Sequence, residues 1–335
     1  MTLQGIGKTE SSRKLLILFA AFFAVYVFWG STYLAIKYAI ETLPPFLMAG
    51  SRFLFAGSVL FLWARLSRDY ETPTWQHWRT SLIVGTLLLL GGNGGVVLAQ
   101  HFIPSSLAAL LVATEPLWIV LLSWLWLKRA RPNWKVALGL AVGFAGVWML
   151  ISGRATDGAE TAVAGQWIGI LAVILGAFSW AAGSIYGLRG SAPKSSLLTA
   201  GMQMMAGSIS LLMVGLIRGE WWTFEPSAVS SSSIFGLIYL IIFGSLIGFT
   251  AYSWLLKNAR PSMVATYAYV NPVIAVLLGW LIAGESMTGQ MLIGAGIVVG
   301  SVVLITSQST AGSEAAEESI HRSEALAENR GAAAA

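Results

Sequence analysis

Between Pro261 and Glu285 the chain reads PSMVATYAYVNPVIAVLLGWLIAGE, apolar and uncharged up to its final glutamate. That is about the length needed to cross the hydrocarbon core of a bilayer as a helix. Lipid offers no partner to a backbone N–H or C=O, so a crossing segment of this kind must be helical. At its centre, however, stand Asn271 and Pro272, and neither suits an apolar helix interior. The same arrangement occurs earlier, in PSSLAALLVATEPLWIVLLSWLWLK from Pro104 to Lys128. Pro104 pairs with Pro261, Pro116 with Pro272 and Trp124 with Trp280, each 156 or 157 residues apart. Two helices with a polar break in matching places indicate a chain built from two copies of one unit.

The rest of the chain has the same character. Hydrophobic residues make up 56% and charged residues 10%, where soluble domains carry roughly a quarter charged. Apolar runs predict ten spans, near 15–38, 45–66, 80–100, 104–127, 134–152, 166–188, 196–217, 232–256, 261–283 and 288–307. The first run is too long and too aromatic for a signal peptide and lacks a small-residue cleavage site, so it reads as a retained span. Residues 1–14 form a short basic lead, and 308–335 a polar, alanine-rich tail expected to be disordered. Placing the N-terminus in the cytoplasm puts 16 of the 20 lysines and arginines on that side, which predicts both termini inside.

The repeat extends to Trp29 and Tyr33, echoed by Trp180 and Tyr186, and to Gly139, echoed by Gly294. It divides the chain into units at 15–152 and 166–307, five spans each. An odd number makes the copies enter the membrane from opposite sides, an inverted repeat of the kind from which transporters are built. The expected fold is therefore all-α, with ten transmembrane helices in two inverted five-helix repeats.

Chemistry-bearing residues are few. There is no cysteine, and His77, His101 and His321 lack ligand spacing, so no metal or cofactor is expected. The net charge of +5 is scattered between spans and does not form a nucleic-acid-binding surface. The expected partners are a small-molecule substrate and the lipid bilayer. Only Arg52 and Glu115 stand deep within spans as ionisable groups, at about 10 Å and about 16 Å from one boundary. Those depths allow an ion pair, which either locks two helices together or takes part in handling substrate or protons. Asn271 occupies the place of Glu115 in the second copy. Pro116 and Pro272 are expected to break their helices and to free backbone carbonyls beside a cavity. Asn93 in GGNGG is a further polar candidate. Trp29, Tyr33, Trp118, Trp180, Tyr186 and Tyr267 complete the expected cavity lining, with the equivalent Trp29 and Trp180 foremost. GxxxG pairs at Gly139/Gly143 and Gly296/Gly300 predict close helix contacts, within the chain or in a homodimer.

The run FGSLIGFTAYSWLLKNARPSMVATYAYVNPVIAVLLGWLIAGESMTGQMLIGAGIVV, with WGSTYLAIK and MAGSRFLFAG earlier, resembles the EamA-type proteins of the drug/metabolite transporter superfamily. The resemblance implies a ten-helix bacterial inner-membrane exporter of small metabolites, and it is strongest to the branch that includes aromatic amino-acid exporters. One departure is visible: the second copy ends its motif helix with Gly284–Glu285, whereas the first has Lys128–Arg129. A channel or a lipid or drug flippase is the alternative. An integral-membrane enzyme fits less well, because the short loops carry no catalytic constellation.

Overall fold

The computed structural model describes residues 15–68, 70–126, 134–152, 160–259, 261–264 and 266–304. The N-terminal lead, the Lys128–Arg129 pair and the C-terminal tail lie outside these residues. The described chain is helical throughout and contains no strand. Seven helices are long and apolar enough to cross a membrane: α1 (Leu15–Ala39), α2 (Pro45–Leu66), α3 (Trp75–Ala99), α4 (Ser105–Leu125), α6 (Ala164–Gly187), α7 (Ser196–Ile217) and α8 (Ser231–Tyr252). Three apolar helices are shorter, α5 (Trp134–Leu150), α9 (Tyr267–Leu281) and α10 (Gly289–Leu304). Large apolar side chains such as Phe55, Trp63, Leu175 and Phe235 stand exposed on the bundle's outer surface, as a lipid-facing surface requires.

The packing is symmetric under exchange of the two units. Helix α2 packs on α7, and α4 on α9. The contact of α1 with α8 is matched by that of α6 with α3, α1–α9 by α6–α4, and α2–α8 by α7–α3. The pair α5 and α10 meets through Gly143, Gly146 and Gly294, where an added Cβ would lie 2.7–3.0 Å from a facing side chain. Gly296 and Gly300 face open space, so the second GxxxG makes no contact within the described chain. The helix turns the small residue at 294 toward α5 and the later glycines away from it.

Two apolar clusters fill the bundle, one around Phe53, Leu60, Met204, Leu211 and Leu240, the other around Leu107, Leu111, Val173, Val276 and Val298. Tyr33 and Val112 pack against both. The cavity opens at this junction.

Several helices are irregular beside it. In α1, α3 and α8 the backbone widens to i→i+5 bonding over Ala24–Phe28, Thr86–Asn93 and Leu240–Ile247, a distortion common at functional sites. Helix α4 is interrupted at Ala113–Thr114 and restarts at Glu115, so Pro116 falls in the first turn, where its missing N–H is harmless. Pro272 does not break its helix. It lies inside the continuous Tyr267–Leu281 segment, and the interruption comes earlier, at Thr266. A helix that has just restarted tolerates the proline ring, because the carbonyl it crowds belongs to the loosely constrained first turn.

Candidate functional site

A cavity of about 110 Å³ lies on the seam between the two units. Helices α1, α2, α3 and α4 line it from one side, and α6, α8 and α9 from the other.

Its aromatic wall is built by exchange between the units. Trp29 of α1 donates its indole N–H to the carbonyl of Gly244 in α8 at 3.0 Å. The ring lies 5.1–5.4 Å, centroid to centroid, from Phe249, Tyr252 and Tyr267. A Cβ on Gly248 would overlap this indole. Trp180 of α6 is seated likewise on Gly92 of α3, where a Cβ would come within 2.6 Å of the ring. Each tryptophan thus lies across a glycine of the opposite unit, at or just beyond a widened stretch of helix.

The polar groups are sparse and incompletely paired. Arg52 is 3% exposed, donates from Nε to Ser245 Oγ at 2.9 Å and lies 4.3 Å over the Phe53 ring. Its Nη1 has no partner. Glu115 is 7% exposed, and among the described residues no hydrogen bond or ion pair reaches it. Arg52 and Glu115 face the same cavity but do not form the direct ion pair their depths suggested. The guanidinium is drawn instead toward α8, where the widened segment presents Ser245. The Oδ1 atoms of Asn93 and Asn271 are also buried without partners.

Seven of the nine expected lining residues meet here: Trp29, Tyr33, Asn93, Glu115, Trp180, Tyr267 and Asn271. Trp118 and Tyr186 do not. Trp118 packs edge-on against Phe144 and Phe178 at 5.4 and 5.5 Å. Both sit on helices that line the cavity, but Trp118 is turned away from it and Tyr186 lies six residues beyond Trp180, near the end of α6. Sequence reading missed Gly176, and missed Gly244 and Phe249, which lie in the FGSLIGFT run but carry no chemistry of their own to mark them. It also missed Ser245, whose only signal is a small polar residue in an apolar run.

At one end of the bundle, around Lys37, a clamp joins α1, α4 and the end of α9. Glu285 reaches back from the end of α9 to the N-terminus of α4. Its Oε1 accepts from Ser105 N (2.9 Å), Ser105 Oγ (2.7 Å) and Lys37 Nζ (3.1 Å), and its Oε2 from Ser106 N (2.9 Å). A carboxylate at a helix N-terminus meets free N–H groups and the positive end of the helix dipole. Burial works against its ionisation, but hydrogen bonds from Ser106, Ser105 and Lys37 outweigh that and hold its pKa down at about 2. The turn before it needs Gly284, whose φ is +62°. A second carboxylate, Glu220 after α7, accepts from Phe46 N and Leu47 N at the start of α2, each at 3.0 Å. On the same side Thr42 and Ser230 are bonded to each other, and Ser233 donates to the Tyr38 carbonyl at 2.8 Å. Toward the opposite end, the second half of α4 packs against α6, while α9 keeps mainly to the first half.

A polytopic helical bundle with two exchangeable units and a cavity on their seam defines the class of multi-pass membrane transporters. Family comparison matches residues 15–152 and 167–307 to the EamA-like transporter family, and the chain belongs to that family. It is 40% identical over 296 residues to the inner membrane transporter YedA of Escherichia coli K12, covering 88% of this chain and 92% of that protein. It is 29% identical to the transporter YvbV of Bacillus subtilis, over 87% and 92% of the two chains. Protein PecM of Dickeya dadantii is 27% identical, over 85% and 90%. A crystal structure with TM-score 0.59 and 24% identity, covering 89% of this chain and 97% of its own, shares the fold.

Proposed function

We propose that the protein is a secondary transporter of the bacterial inner membrane that exports small metabolites, foremost amino acids. In this reading ten spans form two inverted repeats, and alternating access proceeds around the cavity on their seam. The observation that carries it is that cavity, lined from both units by aromatic rings and by Arg52 and Glu115, neither of which has an ion-pair partner among the described residues. Two similar packings of pseudo-symmetric units give two states of comparable energy, each open to one side. The distribution of lysine and arginine supports cytoplasmic termini. In that orientation the Lys37–Glu285 clamp lies at the outer face, and on this reading it is the gate that keeps the cavity closed to the outside while solute enters from within.

Cavity size favours a small solute over a drug or lipid. Pockets for drug-sized ligands run from about 300 Å³ upward, against about 110 Å³ here. A channel is disfavoured because the polar groups cluster around one cavity and do not line a path. The test is counterflow of labelled amino acids into proteoliposomes preloaded with the same solute. Saturable counterflow is expected for at least one apolar or aromatic amino acid. No counterflow across the twenty would overturn the substrate assignment.

A further inference from the structure

A buried ion without a partner is among the most unfavourable groups a protein can hold, by several kcal/mol after relaxation. Two ionisable groups of opposite kind, a guanidinium and a carboxyl, facing one cavity with no bond between them, therefore require an explanation. Arg52 and Glu115 are 3% and 7% exposed. Ser245 satisfies Nε of Arg52 but leaves Nη1 without a partner, on a residue that lines the cavity. Glu115 has tyrosines within electrostatic reach, Tyr33 and Tyr267 among them, and no ion-pair partner among the described residues. The complement of such a cavity carries an anion toward Arg52 and a cation toward Glu115.

The remaining polar inventory sharpens this. Among the described residues that line the cavity, Arg52 carries a cationic N–H group without a partner, and the acceptors are the Glu115 carboxylate and the unpartnered Oδ1 atoms of Asn93 and Asn271. A carboxylate is the natural partner of a guanidinium, whose planar fork of N–H groups matches its two oxygens. A primary ammonium has three N–H donors and no acceptor, which matches the three acceptors. A phosphate or dicarboxylate would leave Glu115 facing a like charge, and a diamine would do the same at Arg52.

Resting on the transport reading above, we infer that Arg52 and Glu115 are the two poles of a zwitterion site. Arg52 takes the carboxylate of an α-amino acid. Glu115, with Asn93 and Asn271, takes its ammonium. The side chain lies against the aromatic wall of Trp29 and Trp180. The two charges are then specificity-determining residues, kept apart so that substrate completes the pair.

The test uses three near-isosteric probes on the purified full-length protein: leucine, 3-methylbutylamine (which lacks the carboxylate) and 4-methylpentanoate (which lacks the ammonium). Dissociation constants are read from intrinsic tryptophan fluorescence, since Trp29 and Trp180 line the cavity. Wild-type protein is expected to bind leucine at least about tenfold more tightly than either analogue, the scale of one charge-assisted hydrogen bond. Arg52→Gln should bring leucine down to the level of the amine and leave the amine unchanged. Glu115→Gln should bring leucine down to the level of the acid and leave the acid unchanged. A uniform loss across all three probes in both variants would show that the charges are structural and overturn the inference while the transport reading stands. Wild-type protein that binds leucine no better than its analogues overturns it without any variant, so a variant that fails to fold does not protect it. Failure of every amino acid in the counterflow assay would instead defeat the transport reading and the inference together.

Discussion

Replacing Glu285 with glutamine removes the charge from the clamp and leaves its size unchanged. The carboxylate accepts four hydrogen bonds, two from backbone N–H groups at the start of α4, one from Ser105 Oγ and one from Lys37. Glutamine keeps one acceptor oxygen and turns an NH₂ group toward N–H donors that then go unsatisfied. Hydrogen bonds to a charged group contribute about 1.5–3 kcal/mol each, and burying a donor without a partner costs a similar amount. Some of that is recovered by water at this end of the bundle, which leaves a net loss of about 2–3 kcal/mol. If the clamp holds the cavity closed on that side, the open population rises about 30- to 150-fold. The chain has no cysteine, so a single Val96→Cys, which lines the cavity, reports access directly. A membrane-impermeant maleimide added outside intact cells should label it faster in Glu285→Gln by at least tenfold. Equal rates with and without the clamp would refute the gating role.

Three other outcomes follow from the geometry. The Glu285 carboxylate is held at about 2, below its usual value, so its stabilisation is complete above the unfolded value near 4.5 and is lost only as pH falls through about 2. Outside labelling of Val96→Cys in the wild-type background, taken relative to a fully exposed cysteine at the same pH because the thiolate is the reacting form, should accordingly be flat from pH 5 to 8, and relative acceleration toward pH 5 would contradict the clamp's assignment. Gly248→Ala forces a methyl group into the Trp29 indole and should lower stability by about 1–3 kcal/mol. That reads as a lower melting temperature in detergent, and an unchanged one would show the tryptophan is free to move. Glu220→Gln loosens the start of α2 from the end of α7. It should destabilise the protein by about 1–3 kcal/mol, measured the same way, without altering the ratio of leucine affinity to that of its two analogues.

The helices were legible because apolar runs of bilayer length admit no other structure. The two units were legible because prolines and tryptophans recur at fixed separation. Sequence spacing gives the depth of a residue along its helix, at about 1.5 Å per step. It does not give the helix's rotation within the bundle. The repeat marks Trp29 and Trp180 twice, whereas Trp118 is turned onto Phe144 and Phe178 and Tyr186 stands one residue from the end of α6. Arg52 and Glu115 were placed in one region by depth, but their separation is decided by Ser245, 193 residues from Arg52 in the chain. Pro272 was read as a break from its chemistry alone, and the restart at Thr266 makes the proline tolerable. The clamp was the least legible part. A glutamate after an apolar run looks like a span boundary until the helix N-terminus it caps is in place.

The central claim is that the seam cavity is where solute binds during transport. Ala177→Cys places a thiol on its wall, in a chain with no other cysteine. The measurement is maleimide labelling of this variant in proteoliposomes, with and without saturating leucine, followed by counterflow. The account predicts that leucine slows labelling several-fold and that the labelled protein no longer exchanges leucine. Labelling indifferent to leucine, with exchange intact after modification, would contradict it.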